Sequence, residues 1–257
     1  MDCTIIIPNY KTPELTKLCL RSLRKHTDLN KARIVVVDND SADASLEYLR
    51  SLKWITLLER KTAGEPGFVM HARALDEALK LVDTPFFAVM HTDTIVVSDK
   101  WLDYLLGAFD GNPKLAGVGS WKLEKCSRLK YYGQRLEDLV RRMLLRRRRH
   151  TPEERYLRSH CAVYRTELVR LRTKGFYDGE TAGQSLHRML VAAGFEMRFL
   201  ESSELGMYIR HLNHATMILN PSGEGRTSRP SSRRKLVDEM DDAAFAAILA
   251  DDTLDRT

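Results

Sequence analysis

The first 120 residues alternate two hydrophobic periodicities, and this alternation restricts the possible folds more than any other feature of the chain. Short apolar runs, typical of buried parallel strands, are separated by stretches whose apolar residues recur at helical spacing. The runs are Thr4 to Ile7, Arg33 to Val37, Ile55 to Leu58 and Phe86 to Met90. Such alternation predicts an α/β fold with a parallel sheet covered on both faces.

Helical spacing marks two of the connections, from Leu15 to Leu23 and from Val69 to Leu79. Pro13 and Ser41 are residue types that favour the start of a helix, so we expect helices to begin at these two positions. In a sheet of this kind, ligands bind at the carboxyl ends of the strands. The residues that directly follow each strand are therefore the first candidates for a functional site.

Beyond residue 120 the pattern changes three times. Residues 121–160 read as a basic helical insertion, and regular elements return within 161–221. The returning elements are Ala162 to Tyr164, Ser185 to Ala193 and Met197 to Leu200. In 222–257, a Ser-, Gly-, Pro- and Arg-rich stretch from Ser222 to Lys235 predicts a linker. A closing helix, Leu236 to Leu249, and a frayed acidic tail are expected to follow.

Three classes of protein are disfavoured by the sequence. No uncharged apolar run approaches the roughly 20 residues that a membrane-spanning helix needs. The amino terminus shows neither the basic leader nor the apolar stretch of a secretion signal. The four cysteines form no Cys-x-x-Cys pair, which favours reduced, mostly buried thiols in a cytoplasmic protein over a disulfide framework or zinc site. They are Cys3, Cys19, Cys126 and Cys161.

The net charge of +6 is unevenly distributed. Lys122 to Lys174 contains 17 basic and 6 acidic residues, so the rest of the chain is mildly acidic. This predicts a local anionic partner. An apolar helical stripe, Leu136 to Leu144, with Arg141–Arg149 mostly off it would suit an anionic membrane surface or an acidic sugar or phosphate. Alternatively, the stripe packs on the body and the arginines are only solvated. The run lacks interleaved aromatics, so no nucleic acid is expected.

Polar residues follow three of the predicted strands. Pro8-Asn9-Tyr10 comes after the first, Asp38-Asn39-Asp40-Ser41 after the second, and His91-Thr92-Asp93-Thr94 after the fourth. Taken singly, an Asp or Ser in such a place is more often only a helix cap. The carboxyl ends of parallel strands meet at one edge of the sheet, so together these groups predict a polar site there.

These motifs, in this order, resemble the family 2 glycosyltransferases of the GT-A fold. The resemblance runs from Thr4 to about Leu106 and continues more weakly from Gly175 to His214. The resemblance also rests on three further segments: Leu20 to Leu23, Gly67 through Ala72-Arg73, and Trp101-Leu102. The fold implied is Rossmann-like: a mainly parallel sheet flanked by helices, with the basic insertion and a C-terminal helix added. Residues 1–221 would form this domain, with the nucleotide-sugar half in 1–120 and the acceptor and metal half in 161–221.

The function implied is metal-dependent transfer of a sugar from a nucleotide-sugar donor, UDP-linked, to a glycan or lipid-linked acceptor. Inversion at the sugar carbon, a role in bacterial surface polysaccharide or glycolipid synthesis, and peripheral attachment at the inner membrane face are part of the same expectation. Arg141–Arg149 would make the membrane contact.

The resemblance also assigns donor-binding residues. Pro8 and Tyr10 would flank the nucleobase, and Asp38 would accept a hydrogen bond from a uracil-type imide, with Asp40 nearby. Arg73 would lie near the diphosphate or ribose, where a guanidinium suits an anionic ligand.

Asp93 would coordinate a divalent cation, Mn²⁺ or Mg²⁺, that bridges the two phosphates, with Thr92 beside it in the donor site. His91 replaces the first Asp of the family's metal motif, and imidazole suits manganese better than magnesium. His91 could instead only pack or hydrogen-bond a loop. His211 and His214 resemble the late histidine that completes the metal shell in many GT-A enzymes, although lone histidines are usually surface or core residues.

The catalytic base departs from the family. Gly175 to Glu180 resembles the segment before the usual Glu-Asp pair, which falls here on Ala182-Gly183. An inverting transfer needs a carboxylate to take the acceptor's proton, which leaves Asp178 or Glu180, unless the register is shifted. The alternative is an exposed turn with two solvated acids.

Two rival functions follow from these departures. A nucleotidyltransferase would also use a βαβ nucleotide site, but Pro8 to Pro13 lacks the Gly-rich, Lys-containing loop expected of it. A catalytically degenerate protein that serves as a membrane-associated binding module is favoured by the altered metal and base motifs. The donor site is also altered, at Ala74 and Asp76, where the family usually has Asn and Gly. The retained Asp38, Arg73 and Asp93 count against the degenerate module.

Overall fold

The computed structural model describes residues 1–62, 64–121, 123, 155–179, 181–212, 215–220 and 229–256. Its strands are β1 (Cys3–Asn9), β2 (Ala32–Asn39), β3 (Ile55–Arg60), β4 (Phe86–Met90), β5 (Thr94–Val96), β6 (Leu115–Gly119), β7 (Cys161–Arg165), β8 (Glu196–Phe199) and β9 (Ile209–His211). Its α-helices are α1 (Pro13–His26), α2 (Ala44–Ser51), α3 (Gly67–Leu79), α4 (Trp101–Gly107), α5 (Thr166–Arg172), α6 (Gln184–Ala192), α7 (Ser202–Leu205), α8 (Ala215–Leu219), α9 (Pro230–Met240) and α10 (Ala243–Ala250), and a 3₁₀ turn spans Asp252–Asp255.

The main sheet has seven strands in the order β3-β2-β1-β4-β7-β6-β8. Strand β7 runs antiparallel to its neighbours β4 and β6, and the other pairs are parallel. A separate ladder joins β5 to β9. The predicted mainly parallel sheet flanked by helices is confirmed.

Side-chain alternation along β1 divides the core between the two faces of the sheet. Ile5 and Ile7 lie in one buried cluster with Leu15 and Leu18 of α1. Ile6 lies in the second cluster, which includes residues of α3 such as Ala72. Successive strand residues point to opposite faces, so a strand buried on both faces must be apolar throughout. This explains the unbroken apolar run at the start of the chain.

One predicted helix start is wrong. Helix α2 begins at Ala44, where the Asp43 carboxylate accepts a hydrogen bond from the Ser45 backbone N–H at 3.0 Å. Ser41 lies before it, and its backbone N–H donates to Asp38 Oδ2 at 3.0 Å. Ser and Asp are both good caps, so residue preference alone could not decide between Ser41 and Asp43, which lie two positions apart.

The C-terminal prediction is wrong in two respects. The expected linker to Lys235 overlaps α9, which begins at Pro230 and buries Leu236, and the single closing helix is two helices separated near Asp242. The acidic tail is not frayed at Asp255, because that carboxylate pairs with Arg21 of α1. The tail is therefore part of the packed body.

Several predictions concern residues that lie outside the described part of the chain. These include the basic helix with Arg141–Arg149, and Cys126. Cys3, Cys19 and Cys161 are buried free thiols, as predicted.

Within the described residues, no helix combines the length and apolar character that a bilayer crossing requires.

Candidate functional site

A buried network ties the ends of β1 and β2 together. Asn9 Nδ2 donates to Asp38 Oδ1 at 2.7 Å and to Ser45 Oγ at 2.9 Å. Its Oδ1 accepts from Thr16 Oγ1 at 2.6 Å. Asn9 thus connects two strand ends with α1 and α2. The sequence analysis quoted Asn9 only as part of a motif and missed this role.

The residues predicted to surround the nucleobase lie at this edge of the sheet. Asp38 is only 1% exposed, and its two oxygens accept hydrogen bonds from Asn9 and from the Ser41 backbone. Pro8 is buried, whereas Tyr10 is half-buried, with the Lys11 ammonium 5.2 Å from its ring centroid. The structure therefore places Pro8, Tyr10 and Asp38 around the ends of β1 and β2. Their contact with a nucleobase stays a prediction.

Asp40 and Arg73 each have an ionic partner. Asp40 adopts a positive φ of 59° and pairs with Lys61 at 2.8 Å, and this hydrogen bond lowers the pKa of Asp40. Arg73 pairs with Glu65, and its guanidinium lies 5.0 Å from the Tyr177 ring centroid. An anionic donor would compete with Glu65 for Arg73.

The end of β4 carries the strongest candidate for a metal centre. The ladder between β5 and β9 pairs Thr94 with His211, and this brings His211 next to Asp93. Asp93 Oδ1 lies 3.2 Å from His211 Nε2 and 3.7 Å from His91 Nδ1. The three ligand atoms lie within 4.8 Å of one another, so one divalent cation could contact all of them.

The environment of Asp93 fits a cation. The residue is 2% exposed, and its Oδ2 accepts a hydrogen bond from the Ala215 backbone at 3.1 Å. Its Oδ1 is buried and accepts no well-directed hydrogen bond from the residues that the structure describes. Burial alone would raise the pKa of Asp93, but His211 and His91 outweigh burial and hold the pKa well below its ordinary value. An ionised carboxylate beside two imidazole nitrogens suits Mn²⁺ and related transition cations.

A second layer of polar residues supports His91. Ser159 Oγ lies 2.9 Å from His91 Nε2 and 2.8 Å from His71 Nε2. Burial lowers the pKa of His71 to about 3, so its ring is neutral and can accept the Ser159 proton. A cation bound to Nδ1 of His91 would leave the ring proton on Nε2, which would then donate to Ser159 Oγ. Such outer hydrogen bonds fix the orientation of a metal-binding imidazole.

His160 extends this layer on the other side. Its Nε2 lies 2.8 Å from Ser120 Oγ, and its ring centroid is 4.9 Å from that of His211. The sequence analysis missed His71, Ser159 and His160. Only the antiparallel register of β4 and β7, with Met90 opposite Cys161, places residues 159 and 160 beside His91.

The remaining predicted site residues either lie away from the three candidate metal ligands or lie outside the residues that the structure describes. Thr92 is buried, and its hydroxyl is 3.3 Å from that of Thr12, on the side of α1. Asp178 is exposed and accepts hydrogen bonds from the Thr181 backbone at 2.7 Å and the Ser185 backbone at 3.1 Å, so it caps the start of α6. Glu180 and His214 lie outside the described residues.

Asp76 anchors the loop that carries Asp178. Its carboxylate accepts the backbone N–H groups of Phe176 at 2.6 Å and Tyr177 at 3.0 Å. A Cβ on Gly175 would lie 2.3 Å from Asp76 Oδ1, and Gly175 has a φ of +97°. The loop therefore requires glycine at this position for both reasons.

Comparison with known proteins agrees with the observed fold. The model of the family described as glycosyl transferase family 2 matches residues 4–172. A Pyrobaculum calidifontis mannosyltransferase in complex with GDP-Man and Mn²⁺ has 17% identity and a TM-score of 0.57, over 96% of this chain and 72% of that chain. S. aureus TarS 1-349 in complex with UDP has 16% identity and a TM-score of 0.56, over 93% and 70%. No curated protein matches the sequence.

These solved structures share the GT-A architecture of this chain, a mainly parallel sheet flanked by helices. At such low identities the likeness shows the fold alone, whereas the family match covers more than half of the 257 residues. The resemblance inferred from the strand-end motifs is confirmed. The chain belongs to glycosyl transferase family 2 and is a glycosyltransferase.

Proposed function

We propose that the protein transfers a sugar from a nucleotide-sugar donor to an acceptor hydroxyl, with a divalent cation held by His91, Asp93 and His211. The observation that carries this proposal is the buried Oδ1 of Asp93, which faces a nitrogen of each histidine. The family and the shared fold support it.

The cation would neutralise the negative charge that develops on the leaving nucleoside diphosphate. The residues of the chain contribute orientation. Ser159 holds the His91 ring with Nδ1 toward Asp93, and Asn9 holds the Asp38 carboxylate at the donor edge. Each carboxylate oxygen has two acceptor positions, so Asp38 keeps the capacity to accept a further hydrogen bond from a nucleobase.

The finer proposal names a UDP-linked donor, manganese as the preferred cation, inversion at the transferred carbon, and a glycan or lipid-linked acceptor in bacterial surface polysaccharide or glycolipid synthesis. Pro8, Tyr10, Asp40, Arg73 and Thr92 would complete the donor site. Peripheral attachment to an anionic membrane would use Arg141–Arg149. The uracil assignment is supported by the carboxylate of Asp38 at the β2 end, and the manganese assignment by the two imidazoles.

Thermal unfolding with a panel of UDP- and GDP-sugars, with and without Mn²⁺, tests the proposed function. A ligand at about 100 times its Kd should add about 2.7 kcal/mol to the free energy of unfolding. We expect stabilisation by at least one nucleotide sugar, and only when Mn²⁺ is present. Equal melting temperatures across the whole panel would contradict the proposal.

The proposed general base is Asp178 or Glu180, and the two differ in their expected phenotypes. If Glu180 is the base, Glu180→Gln should lower turnover roughly 100-fold at unchanged donor affinity, because a positioned base typically contributes that much. Asp178→Asn should in addition lower the melting temperature, because both oxygens of the Asp178 carboxylate accept backbone N–H groups and an Asn side chain has only one acceptor oxygen. Calorimetry, melting curves and single-turnover rates separate these effects. Wild-type rates in both variants would place the base elsewhere in the chain.

Ser159→Ala should weaken Mn²⁺ binding by roughly 10- to 100-fold, since the His91 ring loses the hydrogen bond that orients it. Ser120→Ala is the matched control, because its hydroxyl holds His160, which is not among the three candidate ligands. Titration with Mn²⁺, followed by the electron paramagnetic resonance of the free ion, measures both affinities. An equal loss of Mn²⁺ affinity in the two variants would mean that Ser159 has no specific effect on His91 as a metal ligand.

A further inference from the structure

We propose that Trp121, Tyr156 and Arg158 form a subsite for the acceptor, and that this acceptor is a pyranose carrying a phosphate or carboxylate group. The acceptor assignment rests on the proposed transferase function. We call these three residues the Arg158 platform.

The Arg158 platform is a preorganised cation. The guanidinium carbon lies 4.7 Å from the Trp121 ring centroid and 4.8 Å from that of Tyr156, and Nη1 donates to the Tyr156 hydroxyl. The two rings meet edge to face, 5.3 Å apart. Arg158 is exposed, yet no carboxylate of the described residues pairs with it. Its charge is therefore held in place without a counterion among the residues that the structure describes.

The position of the Arg158 platform links it to the candidate metal centre. Trp121 follows the end of β6, and Arg158 precedes β7; the Arg158 backbone N–H donates to Ser120 O at 3.0 Å. The next residue, Ser159, contacts His91. Strand β6 runs parallel to β4, since both are antiparallel to β7, so its carboxyl end lies at the same edge of the sheet. The Arg158 platform and the proposed donor site are thus neighbours.

The chemistry of the Arg158 platform matches an anionic sugar. A guanidinium held against aromatic rings keeps further N–H groups, beyond the one that donates to Tyr156, for bonding to phosphate or carboxylate. The half-buried indole of Trp121 offers apolar surface to the C–H face of a pyranose. The composition of the sequence segment that includes Arg158 also favours an anionic partner, because Lys122 to Lys174 contains 17 basic and 6 acidic residues. A neutral acceptor would leave the charge of Arg158 without a partner among the described residues.

Calorimetric titration with glucose 6-phosphate, glucuronate, glucose and inorganic phosphate tests the inference. We expect the two anionic sugars to bind the wild-type protein more tightly than glucose or phosphate. Arg158→Gln should weaken glucose 6-phosphate binding at least about tenfold, the usual effect of losing a hydrogen bond to a charged group. Arg155→Gln is the matched control, because Arg155 is an exposed arginine three positions away, and should bind within twofold of wild type. Trp121→Ala should weaken the sugar phosphate more than inorganic phosphate.

Several results would overturn the inference. Equal binding by Arg158→Gln and Arg155→Gln would remove Arg158 from the subsite. Equal affinity for glucose 6-phosphate and inorganic phosphate would remove the sugar contact. Displacement of glucose 6-phosphate by UDP with Mn²⁺, together with loss of UDP binding in Arg158→Gln, would assign the arginine to the donor. If the protein binds nucleotide normally but binds no anionic sugar, the acceptor subsite is contradicted and the proposed transferase function is not. Anionic-sugar binding through Arg158 without nucleotide binding would support the platform and contradict the transferase function.

Discussion

Asp93→Asn should lower the affinity for Mn²⁺ at least about 100-fold and abolish metal-dependent nucleotide binding. The variant keeps the shape of the side chain and an oxygen for the Ala215 backbone N–H, but it removes the negative charge between His91 and His211. The variant site has two imidazoles and an amide. It lacks the carboxylate, which is the one anionic ligand among the three residues, and charge-assisted contacts are the stronger ones.

Calorimetry with Mn²⁺, and then with UDP at saturating Mn²⁺, measures this effect. Asp43→Asn is the control, because it also removes one negative charge but keeps a good helix cap, at the start of α2. We expect its Mn²⁺ affinity to match that of the wild type. Unchanged Mn²⁺ affinity in Asp93→Asn would exclude Asp93 from the metal centre and remove the observation on which the proposed function depends.

Asp255→Asn should destabilise the fold by about 3 kcal/mol, the usual cost of removing one partner from a largely buried ion pair. Arg21 is 3% exposed in its side chain and donates to both oxygens of Asp255, at 2.9 and 2.5 Å. Tyr48 adds a hydrogen bond to the same carboxylate at 2.7 Å. Without the carboxylate, the guanidinium charge stays buried against α1 with no counterion among these contacts.

Thermal and urea unfolding measure the change, which corresponds to a fall of about 6–12 °C in Tm for a chain of this size. Asp252→Asn is the control: its carboxylate pairs with Arg256, but both side chains are more than 70% exposed, and such pairs contribute little. Equal stability of the two variants would show that the tail contact carries no net energy.

The effect of Asp255 should also depend on pH. Burial raises the pKa of this carboxyl, but the hydrogen bonds from Arg21 and Tyr48 outweigh burial and leave it below the ordinary value of 3.8. A lowered pKa in the folded state stabilises the protein above the unfolded pKa, and this contribution is lost as the pH falls through the folded value. The difference between wild type and Asp255→Asn should therefore be constant near neutrality and shrink below about pH 4.

Much of the secondary structure could be predicted because it rests on local patterns. Each of the first four predicted strands lies within an observed strand, and Pro13 begins α1 as expected. The first half of helix α9, up to Lys235, was missed because its sequence is rich in Ser and Arg, with little periodic apolar signal. Its place in the fold depends on the burial of Leu236, a tertiary contact that no residue preference reveals.

The sequence by itself determined the α/β class, the polar strand ends and the candidacy of Asp93, because apolar periodicity and strand-end chemistry are properties of short segments. Only the tertiary structure decided which distant groups meet Asp93. The ladder between β5 and β9 positions His211, and the antiparallel register of β4 and β7 positions Ser159 beside His91. Strand register is selected by packing against the rest of the core, so contacts between residues far apart in the chain leave no periodic trace in the sequence.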